Sequence, residues 1–335
     1  MQCTLYIPHL IPPRDAGDAL WRSVDAPQLK TLLARAAYIR DKHTSNDALL
    51  CDTFGIAQQL NNPLAPLLVS HQGVDASSDY WLCATPVHLE TRRNALVLAD
   101  ATTLGITAAE SAAFVATLAE HLREEGLTLH APQPDQWYLR SNITPAITTA
   151  SLSSVTGRDV RPFLPKGTDS ARWHRVLTEI QMLLHTHPAN DAREARGMVP
   201  VNSVWLWGGG TLPAAVSAPF VSVWSDDAVM RALAHHSGCG IAPRPAVIDP
   251  ATLEGGAHLF SYESLTPLLR LGNTQAWCNA VTALNQNWLI PLMDMLKSRR
   301  LSTLTLVCSD GSDVMRFVIH PGDLFKIWRK NRYLQ

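Results

Sequence analysis

Val204-Trp205-Leu206-Trp207-Gly208-Gly209-Gly210-Thr211-Leu212-Pro213 is the stretch on which the reading of the fold turns. Four apolar residues suit a short buried strand, and the three glycines behind them suit a tight turn whose backbone amides can approach a ligand closely. Further on, 226–236 has helical spacing and ends before Gly238. Strand, glycine turn and helix in that order predict an α/β core. As a nucleotide motif the triplet fails, because no Gly-Lys-Ser/Thr follows and the third glycine of a dinucleotide fingerprint is missing.

Working outward, Trp277, Val281, Leu284, Trp288, Leu292 and Met295 form one apolar stripe, which predicts a long helix divided or kinked at Pro291. Strands are expected at 301–308 and 314–319, then a terminal helix docking Leu324, Phe325 and Trp328 with its cations in water. Toward the N-terminus, 3–7 reads as a strand, and Pro27 opens a helix carrying Leu29, Leu32, Leu33 and Ala36. Residues 81–84 and 95–99 are expected to pair as a hairpin through 91–94. Thr107-Ala108-Ala109-Glu110 has the spacing of a capping box ahead of a helix that stops at Gly126. Strands at 127–130 and 137–140 follow, and a second helix starts near Ser170 with Trp173, Val176, Leu177, Ile180 and Leu184 on one face.

A chain of 335 residues with 46% apolar and 17% charged residues has enough apolar material for two folded lobes. The 28 basic and 29 acidic residues nearly cancel, so no field gathers a phosphate backbone and nucleic acid is excluded as a main partner. The apolar runs are too short for a membrane span. The start, Met1-Gln2-Cys3-Thr4, lacks a charged and then apolar leader, so a cytoplasmic location is expected. Cysteines 3, 51, 83, 239, 278 and 308 include no Cys-x-x-Cys pair and are expected as reduced core thiols.

His185 with His187, and His235 with His236, are one or two positions apart, whereas ligands sharing a helix face lie three or four apart. These four and His9 are therefore expected at helix ends and loops rather than in one coordination sphere. Gly-x-Ser-x-Gly and His-Glu-x-x-His are missing, and the carboxylates are scattered. No catalytic residue, metal ligand or cofactor is assigned.

His187-Pro188-Ala189-Asn190, then Arg193, Gly197, Asn202, the stretch 205–210 and Pro213 together resemble a run in archaeal-type cofactor-independent phosphoglycerate mutases. Residues 79–93 resemble the start of that family's inserted lobe, and 301–310 its late core strand. The chain is still more similar to a small bacterial group of RpfE-type regulatory proteins. The resemblance implies an α/β fold with an alkaline-phosphatase-like core sheet flanked by helices and an inserted smaller α+β lobe. It places the core at 1–77 and 196–335 and the lobe at 78–195.

The resemblance also implies two divalent metals and a Ser or Thr nucleophile moving a phosphoryl group, and here the sequence departs from the pattern. Ile7-Pro8-His9-Leu10 stands where an Asp-Gly element belongs, and Asp310-Gly311 stands in place of Asp-His. The intervening Asp with Gly-His has no counterpart near 262–277. Trp81-Leu82-Cys83-Ala84 and Trp207 replace arginines that would fork a phosphate, and Thr44-Ser45-Asn46-Asp47 matches the nucleophile segment in position only. What the resemblance leaves is a ligand-binding set of Asn190, Arg193, Asn202, Gly208, Gly209 and Gly210, with His88, Arg92 and Arg93 assigned to the same cleft. The expectation is a protein that has lost metal-dependent phosphoryl transfer and serves as a regulatory protein binding a protein partner or a small anionic metabolite. The alternative is an active phosphomutase or phosphatase with a rebuilt metal site.

Overall fold

The computed structural model describes residues 1–12, 17–40, 45–93, 95–99, 103–217, 219–309, 313–326 and 328. The chain forms two compact units, one of Met1–Gly55 with Val216–Gln335 and one of Ile56–Ala215.

The first unit begins with strand β1 (Gln2–Ile7), helices α1 (Gly17–Ser23) and α2 (Pro27–Arg35), strand β2 (Ala37–Arg40) and helix α3 (Asn46–Thr53). It resumes with β9 (Ser222–Trp224), α9 (Ala228–His236), β10 (Gly240–Ala242), β11 (Ala257–Ser261), α10 (Leu265–Arg270), α11 (Thr274–Leu284), α12 (Ile290–Lys297), β12 (Thr303–Ser309) and β13 (Val314–Ile319). Seven strands make one sheet in the order β10-β9-β11-β1-β12-β13-β2. The first five run parallel, β13 is antiparallel to β12, and β2 is antiparallel to β13. Parallel strands need helical crossovers that cover the sheet, and their side chains are correspondingly apolar. Leu5, Ile7, Leu304, Leu306 and Phe317 are buried with Leu29 and Leu32 of α2 and with Trp277, Leu284 and Leu292 of the late helices.

Those late helices follow the expected stripe, and Pro291 divides them. Having no N–H, it leaves the Asn287 carbonyl without its helical donor, and the Ile248 N–H occupies that carbonyl instead at 3.0 Å. Residues Asn285–Leu289 widen into a π turn between α11 and α12.

The second unit contains α4 (Leu64–His71), β3 (Tyr80–Val87), β4 (Leu89–Arg92), β5 (Ala95–Leu98), α5 (Ala108–Glu124), β6 (Leu127–Gln133), β7 (Gln136–Ser141), the short α6 (Leu152–Val155), α7 (Ser170–His185), α8 (Pro188–Ala195) and β8 (Ser203–Gly210). Its antiparallel sheet has the order β6-β7-β3-β8. Tyr80, Leu82 and Ala84 of β3 face Phe114, Leu118 and Leu122 of α5 and Trp173, Val176 and Ile180 of α7. The capping box of α5 forms as its spacing requires, with Thr107 accepting from the Glu110 N–H and Glu110 accepting from that of Thr107.

Four expectations are corrected. The glycines 208–210 lie within β8 rather than in a turn, and no helix follows them directly, because β8 pairs with β3 through residue 210. That pairing also draws β8, together with α4, into the inserted unit, so the boundaries fall at 55/56 and 215/216 rather than 77/78 and 195/196. The hairpin joins β4 to β5, while β3 is shared between β7 and β8. Among the described residues the tail forms a short 3-10 turn, Pro321–Phe325, and Phe325 and Trp328 are each 74% exposed rather than docked. No helix among the described residues is long and apolar enough to cross a membrane.

Candidate functional site

The constellation expected to bind a ligand lies wholly in the second unit, and the structure brings most of it together around 199–202. Arg193 Nε donates to the Val199 carbonyl at 2.9 Å, and His88 Nδ1 lies 2.9 Å from the Pro200 carbonyl. Asn190 grips Val201 twice, donating to its carbonyl at 2.8 Å and accepting from its N–H at 2.9 Å. Asn202 grips Leu89 in the same way, accepting from its N–H at 2.7 Å and donating to its carbonyl at 2.9 Å. Each residue of the segment leading into β8 is thereby tied down in turn. The remaining Arg193 donors reach Glu110 at 3.0 Å and the Leu104 carbonyl, and the arginine has no exposed surface.

Arg92 and Arg93 do not join this group. Arg92 is exposed and paired with Glu90 at 2.8 Å, and Arg93 is exposed in the β4–β5 turn with φ 29°. The glycines are close-packing positions: a Cβ on Gly209 would sit 2.4 Å from the Tyr80 hydroxyl and one on Gly210 2.5 Å from Pro63 Cβ. Trp207, standing where an arginine was expected, donates from Nε1 to Thr85 Oγ1 at 2.9 Å across the β3–β8 pair.

In the first unit the parallel strands end together, and this carboxyl edge is where open α/β sheets hold ligands. Beyond β9, Asp227 caps α9, its Oδ1 accepting from the Met230 N–H at 2.8 Å. Beyond β11, Glu263 accepts from the Ser261 hydroxyl. Burial pushes the Asp227 carboxyl up against its backbone hydrogen bonds to Val229 and Met230. Burial and then the neighbouring Asp227 push Glu263 up to about 8, against the opposing pull of Ser261 and Arg244. Tyr6, near the end of β1, is buried and raised by burial first and then by Glu263, Asp227 and Asp47. Beyond β1, His9 takes a left-handed backbone (φ 59°); its Nδ1 meets Thr266 Oγ1 at 3.1 Å, and its carbonyl accepts from Trp277 Nε1 at 3.1 Å.

Among the described residues no three His, Cys, Asp or Glu side chains are placed to hold a metal ion. Of the carboxylates at this edge, Asp227 caps a helix, Glu263 holds a serine hydroxyl and Asp226 is paired with Arg244. Thr44, Asp310 and Gly311 lie outside the described residues. His185 ends α7, His187 caps α8, and His235 and His236 end α9, so each histidine sits at a helix terminus.

Scanning by sequence spacing missed Tyr6, Asp227, Arg244 and Glu263. A polar residue just beyond an apolar strand was the available signal, visible in Trp224-Ser225-Asp226-Asp227 and Ser261-Tyr262-Glu263, but only the parallel pairing shows that these segments share an edge.

No family model matches the chain. It is 27% identical over 156 residues to a probable 2,3-bisphosphoglycerate-independent phosphoglycerate mutase of Geobacter sulfurreducens, covering 46% of this chain and 39% of that protein. It is 26% identical over 189 residues to the 2,3-bisphosphoglycerate-independent phosphoglycerate mutase of Methanosarcina barkeri, covering 55% of this chain and 46% of that one. The matched part thus spans less than half the length of these curated relatives. Among solved structures, the PH0037 protein from Pyrococcus horikoshii superposes with a TM-score of 0.56 at 12% identity, over 95% of this chain and 87% of that one, which shows a shared fold. The sequence matches make the chain a distant relative, over the matched part, of the 2,3-bisphosphoglycerate-independent phosphoglycerate mutases.

Proposed function

We propose that this protein has given up metal-dependent phosphoryl transfer and works by binding a small anion or a protein partner, in the manner of an RpfE-type regulatory protein. The observation that supports this is at the carboxyl edge of the parallel sheet. Phosphoryl transfer by paired metals needs ionised, outward-facing carboxylates and imidazoles to hold the ions and activate a nucleophile. Asp227 there serves a helix cap, Glu263 a serine hydroxyl, and His9 the contacts with Thr266 and Trp277. Burial also favours the protonated form of both carboxyls. Asn190, Arg193 and Asn202 belong to the scaffold of the inserted unit, since the groups that would take an anion hold its backbone instead.

The test is a coupled phosphoglycerate mutase assay of the full chain with manganese, zinc or magnesium added, together with elemental analysis of the purified protein. The expected result is no turnover and no stoichiometric metal. The rival reading, a phosphomutase or phosphatase with a rebuilt centre, would be favoured by turnover that disappears in Asp310→Ala, Asp227→Asn or Glu263→Gln.

A further inference from the structure

The segment that follows β13 is built inside out. Asp323 is buried and accepts from the His320 N–H at 2.9 Å, and it also pairs with Lys326, whose side chain is 34% exposed. Arg35 Nη1 of α2 donates to the Leu324 carbonyl, and the Leu324 side chain packs partly buried against the core beneath the sheet. These contacts fix the turn Pro321–Phe325 to the fold. The rings that follow are left in water: Phe325 and Trp328 are the most exposed large apolar side chains among the described residues.

A single exposed apolar residue is ordinary, since much of any protein surface is apolar. Two large rings three positions apart, outside a charged pair that the fold keeps inside, reverse the usual order of burial and point to a second environment. The surrounding sequence indicates the charge of that environment. From Leu324 onward the chain carries Lys326, Arg329, Lys330 and Arg332 and no acidic residue. Without those four, the 28 basic residues are outnumbered by the 29 acidic ones elsewhere, so the cationic character of the chain is concentrated here.

We propose that this segment attaches the protein to an anionic lipid surface, Phe325 and Trp328 entering the boundary between headgroups and acyl chains and the cations meeting the headgroup charges. Tryptophan favours that boundary because its ring is apolar while its N–H stays wet, and phenylalanine adds apolar area. Cations beside such rings are drawn to anionic headgroups and reach them on long apolar stems. Rings and cations are interleaved with no acid among them, so the attraction needs no fixed register, as suits a fluid surface better than a shaped protein groove. A nucleic acid is held along a track of phosphates, and the acidic excess outside this segment opposes that. Attachment by one short segment without a span is reversible. The inference goes beyond the proposed loss of phosphoryl transfer, and vesicle binding is read without any mutase assay.

Co-sedimentation of the full chain with vesicles tests it, using phosphatidylcholine alone and phosphatidylcholine mixed equally with phosphatidylglycerol. The chain should partition onto the mixed vesicles at least about tenfold more strongly than onto the neutral ones, since each cation near an anionic surface adds to the attraction. Raising the salt from about 0.05 to about 0.5 M should release most of it, because the screening length falls about threefold. The ring variant Phe325→Ser/Trp328→Ser and the charge variant Arg329→Gln/Lys330→Gln/Arg332→Gln should each bind at least about tenfold more weakly. The ring variant should keep its melting temperature, because both rings already stand in water. Failure to sediment with the mixed vesicles, equal binding to the neutral ones, or a lowered melting temperature in the ring variant would overturn the proposal. Binding lost in the charge variant but kept in the ring variant would also overturn it and assign the segment to an acidic protein partner.

Discussion

Arg193 keeps a permanent charge away from water, and its environment fixes what its loss would do. Glu110 faces it at 3.0 Å and also accepts from Thr107 and Arg196, so removing the guanidinium takes one partner from that carboxylate and strands two backbone carbonyls. A buried acceptor left without its donor costs about 1–3 kcal/mol, and Arg193→Ala, which leaves two, should lower the urea midpoint of the inserted unit accordingly. A pH dependence follows from the same pair. Burial raises the Glu110 carboxyl, but hydrogen bonds from Thr107 and Arg196 and the charge of Arg193 outweigh it and hold the group below the ordinary glutamate value of 4.5. A carboxyl held low stabilises the fold above its ordinary value and loses that contribution as pH falls through its folded value. Stability measured by denaturation should therefore drop below about pH 4.5, and Glu110→Gln should flatten that part of the curve. The sequence made Asn190, Arg193 and Asn202 legible as a group, but the direction of the fork was not legible, because its partner lies 83 residues away.

At the scale of elements, β8 shows why a glycine triplet misleads. Glycine is abundant in turns, so three in a row after an apolar strand read as a strand end. Here the strand continues, and the missing side chains let α4 and β3 approach it. Gly208 adds a left-handed backbone (φ 65°). At Gly210 a methyl would meet Pro63 at 2.5 and 2.9 Å, a rigid ring and backbone, whereas at Gly209 it meets the tips of Tyr80 and Leu82. Gly210→Ala should cost about 1–3 kcal/mol, the usual range for overpacking, with Gly209→Ala milder because its neighbours can shift. Thermal melts of the two variants check the order. The late helices were far more legible: Pro291 acts through local chemistry, and its missing N–H marks the division whatever packs around it.

For the whole molecule, the decisive feature is that the inserted unit owns every strand of its sheet and both helices that cover it. Trp137, Trp173, Phe114 and Ile180 are all at most 1% exposed, and they pack on residues of the same unit. Several of its buried polar groups are paired within the unit, as in the Arg193–Glu110 contact and the Trp137 Nε1 bond to Ser111 at 2.9 Å. A segment with its own core and its own hydrogen-bond partners has what independent folding requires, and domain insertion is tolerated on this basis. The first unit has a complementary property. Phe54 and Phe220, on either side of the insertion, lie with ring centroids 5.7 Å apart, so the chain leaves and re-enters at neighbouring points. Loop-closure entropy rises only slowly with length, so the insertion between those points adds little strain to the sheet around β1. Ile56–Ala215 expressed alone should therefore melt cooperatively, with the blue-shifted fluorescence of buried Trp137 and Trp173. A non-cooperative melt with solvent-exposed tryptophan emission would show instead that the unit depends on the rest of the chain for its fold, despite an internally complete core.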